Sequence, residues 1–139
     1  MKTKSKMAVS LNKKNLKTLA NKCERLSREY TKLRDTSCAC GCGKTYGLDW
    51  AHGISRERER FKYHPLNTMR LNHNCHMAID HSPIKSVLMN QLMNRRIGEL
   101  SWQLMLLESF SVFKPTEQFY LEQIAELEKL IAEVQSVQY

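Results

Sequence analysis

The sequence predicts a mostly helical α+β fold, with a small core of two short strands and one short helix between amphipathic helices at both ends. Three observations lead to this prediction. Apolar residues recur every three or four positions near both ends of the chain, as they do along one face of a helix. Two short mixed segments in the middle are typical of strands. Around them, the clusters SCACGCGK and NHNCH bring cysteines and histidines together, and 139 residues suffice for one such domain.

Residues 1–35 are expected to form a basic arm followed by an amphipathic helix. Residues 1–14 are rich in Lys, Asn and Ser, which favours a mobile arm. From Asn15 onward, apolar positions alternate spacings of three and four, at Leu16, Leu19, Cys23, Leu26, Tyr30 and Leu33. Cys23 belongs to this apolar stripe, so we interpret it as a small core residue and not as a metal ligand.

Residues 36–82 are expected to form the central core. The segment DTSCACGCGK interrupts the helical periodicity with glycines and small residues, and YGLDWAH predicts a strand that ends at His52. A charged loop, GISRERERFKYHPLN, leads to a second short strand near Thr68–Leu71. The segment CHMAIDH then predicts a helix that begins near Asn74.

Residues 83–139 are expected to form two C-terminal helices for packing or dimerisation. Ser82 and Pro83 are a helix-start signal and predict one long helix over Ile84–Phe110. A last helix follows the segment KPT, with apolar positions at Tyr120, Ile124, Leu127, Ile131 and Val134. This helix either packs on the N-terminal helix, whose basic face has the opposite charge, or pairs with a second copy of the chain. A homodimer is slightly preferred.

The charge distribution suits a polyanionic partner. The net charge is +8, and residues 1–35 hold eleven Lys and Arg against three acids. A basic start and a mildly basic middle favour nucleic acid, although a lysine-rich terminus also serves solubility alone. No apolar run reaches the length of a membrane span, and no secretory signal follows the basic start, so a cytoplasmic location is expected.

The cysteines favour metal ligation over disulfides. Their number, five, is odd, and the chain shows no export signal. A structural zinc ion takes four ligands in a tetrahedron, usually two from each of two short segments. Free surface thiols are the plainer alternative, but exposed free cysteines are a liability. The candidate ligands are Cys38, Cys40, Cys42, His73, Cys75, His76 and His81.

The segment between the two clusters carries a recognisable pattern. DWAHGISR leads through a basic loop to HPLNTMRLNHNCH, so that His52 ends a strand, Asn67 lies in a turn and His76 lies in the following helix. This stretch resembles the HNH (ββα-metal, His-Me finger) endonuclease superfamily, and it is most similar to phage recombination endonucleases of the NinG/Rap type. The resemblance covers about a third of the chain. It implies a zinc-stapled ββα-metal core in a phage-encoded protein of the bacterial host cell.

The resemblance implies a role for each matched residue. His52 would be the general base that takes a proton from the attacking water, and Asn67 would hydrogen-bond the loop that orients it. His76 would ligate a single Mg²⁺ or Mn²⁺ ion. Because hard cations favour oxygen, a second ligand would be Asp49, which matches the family's aspartate, or Asp80, one helical turn after His76.

Four arginines are candidates to bind the phosphodiester, and Arg56 among them matches the family's pattern. Glu57 and Glu59 are interleaved with them, which also fits a solvated charged loop. We therefore expect only one or two of the arginines to contact phosphate. The four candidates are Arg56, Arg58, Arg60 and Arg70.

The chain departs from the family's pattern in two places. Many HNH sites carry an acid or a histidine directly before the base, where this chain has Ala51, and Asp49 would point to the opposite face of a regular strand. Asp80 or His81 would then replace it. The second cysteine knuckle begins with Asn72 in place of cysteine, while the first has one cysteine more than usual. The implied zinc ligands are Cys38, Cys40, Cys42 and Cys75, with His73 as the rival for one of the first three.

The resemblance thus implies a metal-dependent DNA endonuclease that acts on branched or recombination intermediates of phage DNA and cuts to a 5′-phosphate and a 3′-hydroxyl. Binding mainly to phosphate predicts a steep salt dependence. One alternative is a site-specific homing or restriction-type HNH nuclease. Another is a non-catalytic zinc-finger DNA-binding protein in which His52 and His76 are structural. An RNA-directed protein is disfavoured, because the chain lacks aromatic stacking motifs for single strands.

Overall fold

The computed structural model describes the backbone of residues 2–137 and the side chains of residues 13–137. It confirms the mostly helical α+β class, with a sheet of two strands. Within the described chain, no helix combines the length and the apolar character needed to cross a bilayer. The elements are α1 (Lys2–Arg34), β1 (Leu48–His52), α2 (Glu59–Lys62), β2 (Thr68–Asn72), α3 (His73–Asp80), α4 (Lys85–Ile97), α5 (Glu99–Ser109) and α6 (Glu117–Val137).

Helix α1 is longer than the sequence predicted, because residues 2–14, expected as a mobile arm, are helical. The stretch KTKSKMAVSLNKK contains neither glycine nor proline, and its Lys, Met, Ala and Leu residues have high helix propensity. Met1, the first residue of the expected arm, lies outside the described residues.

Helices α1 and α6 pack against each other and form one of two hydrophobic cores. Cys23, Leu26 and Tyr30 of α1 contact the apolar stripe of α6, and Cys23 is fully buried, as expected of a core residue. The stripe predicted for α6 is therefore covered within the same chain, so it is not offered to a second copy. The buried residues of α6 are Tyr120, Ile124, Leu127 and Ile131.

Strands β1 and β2 pair antiparallel at the predicted places, from Leu48 opposite Asn72 to His52 opposite Thr68. Because paired residues share a face, the hairpin has two chemically different sides. One, the core face, carries Asp49, Ala51, Met69 and Leu71. The other, the α1 face, carries Leu48, Trp50, His52, Thr68, Arg70 and Asn72.

The core face of the hairpin belongs to the second hydrophobic core, where Ala51, Met69 and Leu71 are buried against α4 and α5. The α1 face contacts α1, since Trp50 Nε1 donates to Ser27 Oγ at 3.2 Å. The outer edge of β2 is covered by the segment that contains Cys38 and Cys40, where Ala39 N donates to Arg70 O at 2.8 Å. Among the described residues, no hydrogen bond covers the outer edge of β1.

The C-terminal region holds three helices where the sequence predicted two. Gly98, with a φ of 89°, divides the expected helix over residues 84–110 into α4 and α5. A left-handed φ is readily adopted only by glycine, so the interruption falls at this residue. The predicted helix start is close to the observed one, and Ser82 Oγ accepts a hydrogen bond from Ile84 N at 3.1 Å.

Candidate functional site

Four cysteines from two distant segments meet beside the hairpin. Their Sγ atoms all lie within 4.8 Å of one another. The sulfur of Cys40 lies 3.2 Å from that of Cys38 and 3.7 Å from that of Cys75, and the sulfur of Cys42 lies 3.8 Å from that of Cys75. All four are free thiols, so no disulfide accounts for their proximity.

This arrangement fits a tetrahedral zinc site. Zn–S bonds of about 2.3 Å at tetrahedral angles place sulfurs about 3.8 Å apart, close to two of the observed separations. The cluster Cys38, Cys40, Cys42 and Cys75, which we call the cysteine cluster, could therefore hold a structural zinc ion. His73, the rival ligand, is directed elsewhere, because its Nδ1 lies 2.8 Å from Asp49 Oδ2.

Local backbone structure brings the three clustered cysteines onto one side. Gly41 and Gly43 have φ values of 88° and 85°, in the left-handed region that glycine adopts readily, so the chain can turn tightly between the cysteines. Cys38 N donates to Lys44 O at 2.8 Å, which closes this turn. The Lys44 backbone N–H also lowers the pKa of the exposed Cys42 thiol to about 7, which favours the thiolate that a metal requires.

Asn72, three residues before Cys75, takes part in the same site through hydrogen bonds. Its Oδ1 accepts from Asn74 N at 3.1 Å and so caps α3, the helix that carries Cys75. Its backbone N–H lies 3.2 Å from Cys38 Sγ, and its Nδ2 donates to Tyr46 O at 2.9 Å. Sequence reasoning missed this role, although an asparagine directly before a helix is a cap signal.

A second group of polar side chains lies between β1 and α3. Asp49 Oδ2 accepts from His73 Nδ1 at 2.8 Å and from His76 Nδ1 at 3.1 Å, and His76 Nε2 lies 3.3 Å from Asp80 Oδ2. Burial alone would raise the pKa of Asp49, but the hydrogen bonds from His76 and His73 hold that pKa below its usual value. Asp49 is therefore a carboxylate beside an imidazole, which is a donor set that a divalent cation can use.

Two further residues near this group bear on the metal hypothesis. Asp80 also contacts Lys85 Nζ at 3.2 Å, so a cation would compete with that ammonium. His81, the proposed substitute ligand, is exposed at the C-terminal end of α3, and its described contact is the backbone bond from His81 N to Met77 O. The structure thus pairs Asp49 with Nδ1 of His76 and Asp80 with Nε2 of the same ring, and it leaves His81 apart. Among the described residues, only the cysteine cluster brings three or more potential metal-ligand atoms within 4.8 Å of one another.

His52 lies on the α1 face in a half-buried position. Its Nε2 is 2.9 Å from Lys62 O, and because a carbonyl only accepts, Nε2 carries the proton and Nδ1 keeps its lone pair. The ring contacts Trp50 edge-on at a centroid distance of 4.4 Å. Burial, and then the charges of Arg56, Lys62 and Arg28, lower the pKa of His52 to about 4 despite the hydrogen bond to Lys62 O. His52 is therefore neutral at physiological pH.

Asn67 is fully buried and closes the loop that follows His52. Its Oδ1 accepts from Ile54 N at 2.6 Å, and its Nδ2 donates to Ile54 O at 3.1 Å and to Phe61 O at 3.0 Å. These bonds fix the loop that carries Lys62 O, the partner of His52. At Gly53, a Cβ would approach Met93 to 2.9 Å and Asn67 Oδ1 to 3.0 Å, so a larger residue there would require the end of the Met93 side chain to shift.

The predicted phosphate-binding arginines occupy different environments. Arg56 and Arg58 are exposed, and Arg56 is near enough to lower the pKa of His52. Arg60 pairs with Glu108 at 3.4 Å. Arg70 contacts Asp35, at the end of α1.

Two cations near His52 were not among the predicted site residues. Arg28 of α1 stacks on the Trp50 ring at 4.4 Å, and Lys62 lies in the loop that Asn67 closes. Both pair with Glu24, at 3.4 Å and 3.8 Å respectively. The basic face of α1 is visible in the sequence, but its approach to β1 is a tertiary contact that no local pattern signals.

The fold and the site define a mostly helical α+β chain with a four-cysteine cluster that could bind zinc and a histidine-bearing hairpin. Comparisons of this chain with protein-family models, with curated proteins and with solved structures returned no match. The functional assignment therefore depends on the geometry of the site.

Proposed function

We propose that this protein is a metal-dependent DNA endonuclease of the HNH superfamily, selective for branched or recombination intermediates of phage DNA. One observation supports this most. The outer edge of β1 has no hydrogen-bonded neighbour among the described residues, and it separates the Asp49–His76 pair on the core face from neutral His52 on the α1 face. Asp49 and His52 are three residues apart, or about 10 Å along a strand. A phosphodiester at this edge would contact Asp49 through the metal ion and His52 through the attacking water.

Each group has a defined part in the proposed reaction. Asp49, His76 and Asp80 would hold a Mg²⁺ or Mn²⁺ ion, which would supply positive charge for the phosphorane and the leaving oxygen. His52 Nδ1 accepts a proton from water as the water oxygen bonds to phosphorus and the bond from phosphorus to the 3′-oxygen breaks. Lys62 O holds the ring by its Nε2–H. The products are a 5′-phosphate and a 3′-hydroxyl, which takes its proton from solvent.

The zinc ion of the cysteine cluster has a structural part in this proposal. It would join the segment after α1 to α3 and would so keep His76 beside Asp49. A closed set of four thiolates leaves no open position for substrate, which is typical of structural zinc.

A basic stripe on α1 supports DNA as the substrate. Five exposed cations recur at helical spacing on the side of α1 opposite its apolar stripe, over about 27 Å of helix. The stripe reaches the site at Arg28, which contacts Trp50 beside His52. Contacts of this kind bind the phosphate backbone without base readout. The residues of the stripe are Lys14, Lys17, Arg25, Arg28 and Lys32.

The test is cleavage of supercoiled plasmid by the zinc-loaded protein, with Mn²⁺ or Mg²⁺ added or left out. Leaving out the cation is a better control than a chelator, which would also remove zinc. We expect His52→Ala to lower nicking by about 100-fold or more, because general-base catalysis contributes about 10²–10⁴-fold. Its DNA binding in a mobility-shift assay stays unchanged. His81→Ala is the matched control and keeps full activity. Equal nicking by wild type and His52→Ala would disprove the assignment of the base.

A non-catalytic zinc-containing DNA-binding protein is the second candidate. The observation that favours it is that both histidines already have partners within the protein, since His52 packs on Trp50 and His76 contacts two carboxylates. Under this alternative, the protein shifts DNA in a gel and does not nick plasmid or a synthetic four-way junction with any divalent cation. Cleavage of the junction in preference to plain duplex supports the proposed structure selectivity.

A further inference from the structure

The end of α1 holds three arginines around one acidic residue, Asp35. Arg34 donates to both carboxylate oxygens of Asp35, at 2.8 Å and 3.0 Å, and Arg96 Nη2 donates to Asp35 Oδ2 at 3.3 Å. The backbone N–H of Arg70 donates to Asp35 Oδ2 at 3.2 Å, and its guanidinium Nη1 donates to the backbone carbonyl of Asp35 at 3.3 Å. Two guanidinium groups therefore contact the carboxylate, and the third contacts the backbone of the same residue.

The hydrogen-bonding capacity of this cluster is unevenly used. A guanidinium offers five N–H donors. Arg34 makes four hydrogen bonds, to Asp35 and to the carbonyls of Pro65 and Thr68. The side chains of Arg70 and Arg96 make one each, both long. Among residues 13–137, Arg96 Nε is buried without a hydrogen-bond partner.

The charge of the cluster points to an anionic ligand. The carboxylate of Asp35 pairs with both Arg34 and Arg96, so three guanidinium groups and one carboxylate leave the cluster with two positive charges in excess. Burial lowers the pKa of Arg96, and the charge of Arg34 acts in the same direction, against the opposing effect of Asp35. A buried cation with unused donors is costly unless an anion completes its hydrogen bonds. Planar guanidinium groups match phosphate oxygens well.

The position of the cluster relates it to the candidate site. Arg70 pairs with Trp50 across the hairpin, and His52 pairs with Thr68, so Arg70 is a diagonal neighbour of His52 on the α1 face. Diagonal neighbours lie about 7–8 Å apart, which is close to the spacing of successive phosphates on a DNA strand. We propose that Arg70 and Arg96 together bind a phosphate group, namely a DNA-backbone phosphodiester next to the one at His52. The choice of DNA as the source rests on the proposed function.

The first experiment measures phosphate binding without DNA. We expect inorganic phosphate at 10 mM to raise the melting temperature of the zinc-loaded protein by about 3 °C over sodium chloride of equal ionic strength, because a ligand of the folded state stabilises it. Arg96→Gln abolishes this rise, and Arg95→Gln, an exposed neighbour of equal charge, keeps it. No rise in wild type, or an equal loss in Arg95→Gln, would overturn the proposal. Should Arg96→Gln not fold, Arg70→Gln replaces it.

The second experiment identifies the source of the phosphate. The logarithm of the DNA association constant falls with the logarithm of salt concentration, and the loss of one phosphate contact reduces that slope by about 1. We expect this reduction in Arg96→Gln and not in Arg95→Gln. An unchanged slope together with a lost thermal shift would assign the site to free phosphate and overturn its place in DNA binding. Neither experiment measures cleavage, so both can be interpreted even if the protein shows no nuclease activity.

Discussion

The two faces of the β-hairpin hold the two halves of the candidate site in opposite electrostatic environments. On the core face, Asp49 is a carboxylate that accepts from two imidazoles. On the α1 face, His52 is half-buried against Trp50, with Arg28 and Lys62 among its charged neighbours. The residues alternate along one five-residue strand, so the separation follows from strand geometry alone.

The difference shows how one strand keeps a neutral histidine away from the charge of a carboxylate. A carboxylate beside His52 would raise the pKa of the imidazole and favour its protonated form. Because Asp49 points to the other face, it does not oppose burial and the nearby charges of Arg56, Lys62 and Arg28, which lower the pKa of His52 to about 4. A histidine that is neutral at physiological pH can accept a proton, and a carboxylate on the opposite side can bind a cation.

The largest predicted effect concerns the core face. Cys75→Ser should reduce bound zinc from one ion per chain to near zero, measured by elemental analysis. Structural zinc contributes on the order of 10 kcal/mol of apparent binding free energy, so the hairpin and α3 should unfold without it. Because the core between α1 and α6 is separate, a substantial part of the helical circular dichroism should remain.

Cys23→Ala is the matched control for this prediction. Cys23 is buried between α1 and α6 and lies outside the cysteine cluster, so its removal should leave the zinc content at one. Full zinc occupancy in Cys75→Ser would contradict the four-cysteine ligand set. The same measurement on Cys40→Ser tests whether the third clustered cysteine is needed.

The next effect concerns the loop that joins the two faces. Asn67→Ala removes three buried hydrogen bonds and leaves the partners in residues 54 and 61 unpaired. We expect the free energy of unfolding to fall by about 3–5 kcal/mol, measured by denaturant titration. Asn94→Ala, at an exposed position of α4, should change it by less than about 0.5 kcal/mol. A loss below 1 kcal/mol in Asn67→Ala would mean that the loop does not depend on this amide.

Features with a local signal could be predicted from the sequence. The strands, the four-cysteine cluster and the start of α3 follow from short-range patterns and from the ligand chemistry of zinc. The placement of Asp49 and His52 on opposite faces follows from the period of a strand. The apolar stripe of α6 was also predictable. The element that packs on it was not, because α1 and the α6 helix of a second copy both present an apolar stripe.

Features that depend on tertiary contacts could not be predicted. Gly98 interrupts a long run of helix-forming residues. Because a single glycine costs a helix only about 1 kcal/mol, the sequence does not show that α4 ends and α5 begins there. The hydrogen bond from His52 to Lys62 O exists only because Asn67 closes the loop. Arg96 joins Asp35 across 61 residues, and no spacing rule relates them.

The third prediction tests the α1 face by pH. The pKa of His52 is about 4 in the folded protein, against about 6.5 when unfolded. The unfolded state therefore binds more protons between these values, so this contribution to stability is fully present above pH 6.5 and is lost as the pH falls to 4. We expect a loss of about 3 kcal/mol over that range, measured by denaturant titration at each pH.

A variant separates the contribution of His52 from other groups. The glutamine in His52→Gln does not titrate in this range. In this variant, most of the loss in the free energy of unfolding between pH 6.5 and 4 should therefore disappear. Burial also lowers the pKa of His64, so His64→Gln should remove a further part of it. An equally steep dependence in His52→Gln would mean that His52 is not held neutral by its surroundings.

The smallest predicted effect returns to the core face. Lys85 pairs with Asp80 at 3.2 Å, and both side chains are partly exposed. Because such surface pairs contribute little, Lys85→Ala should change the free energy of unfolding by less than about 0.5 kcal/mol. It should nevertheless tighten Mn²⁺ binding about two- to threefold in calorimetry, since Asp80 is freed for the cation and a repelling charge is removed. Lys114→Ala, at an exposed position outside the site, should leave both quantities unchanged. Weaker Mn²⁺ binding in Lys85→Ala would show that Asp80 does not join Asp49 and His76 at the ion.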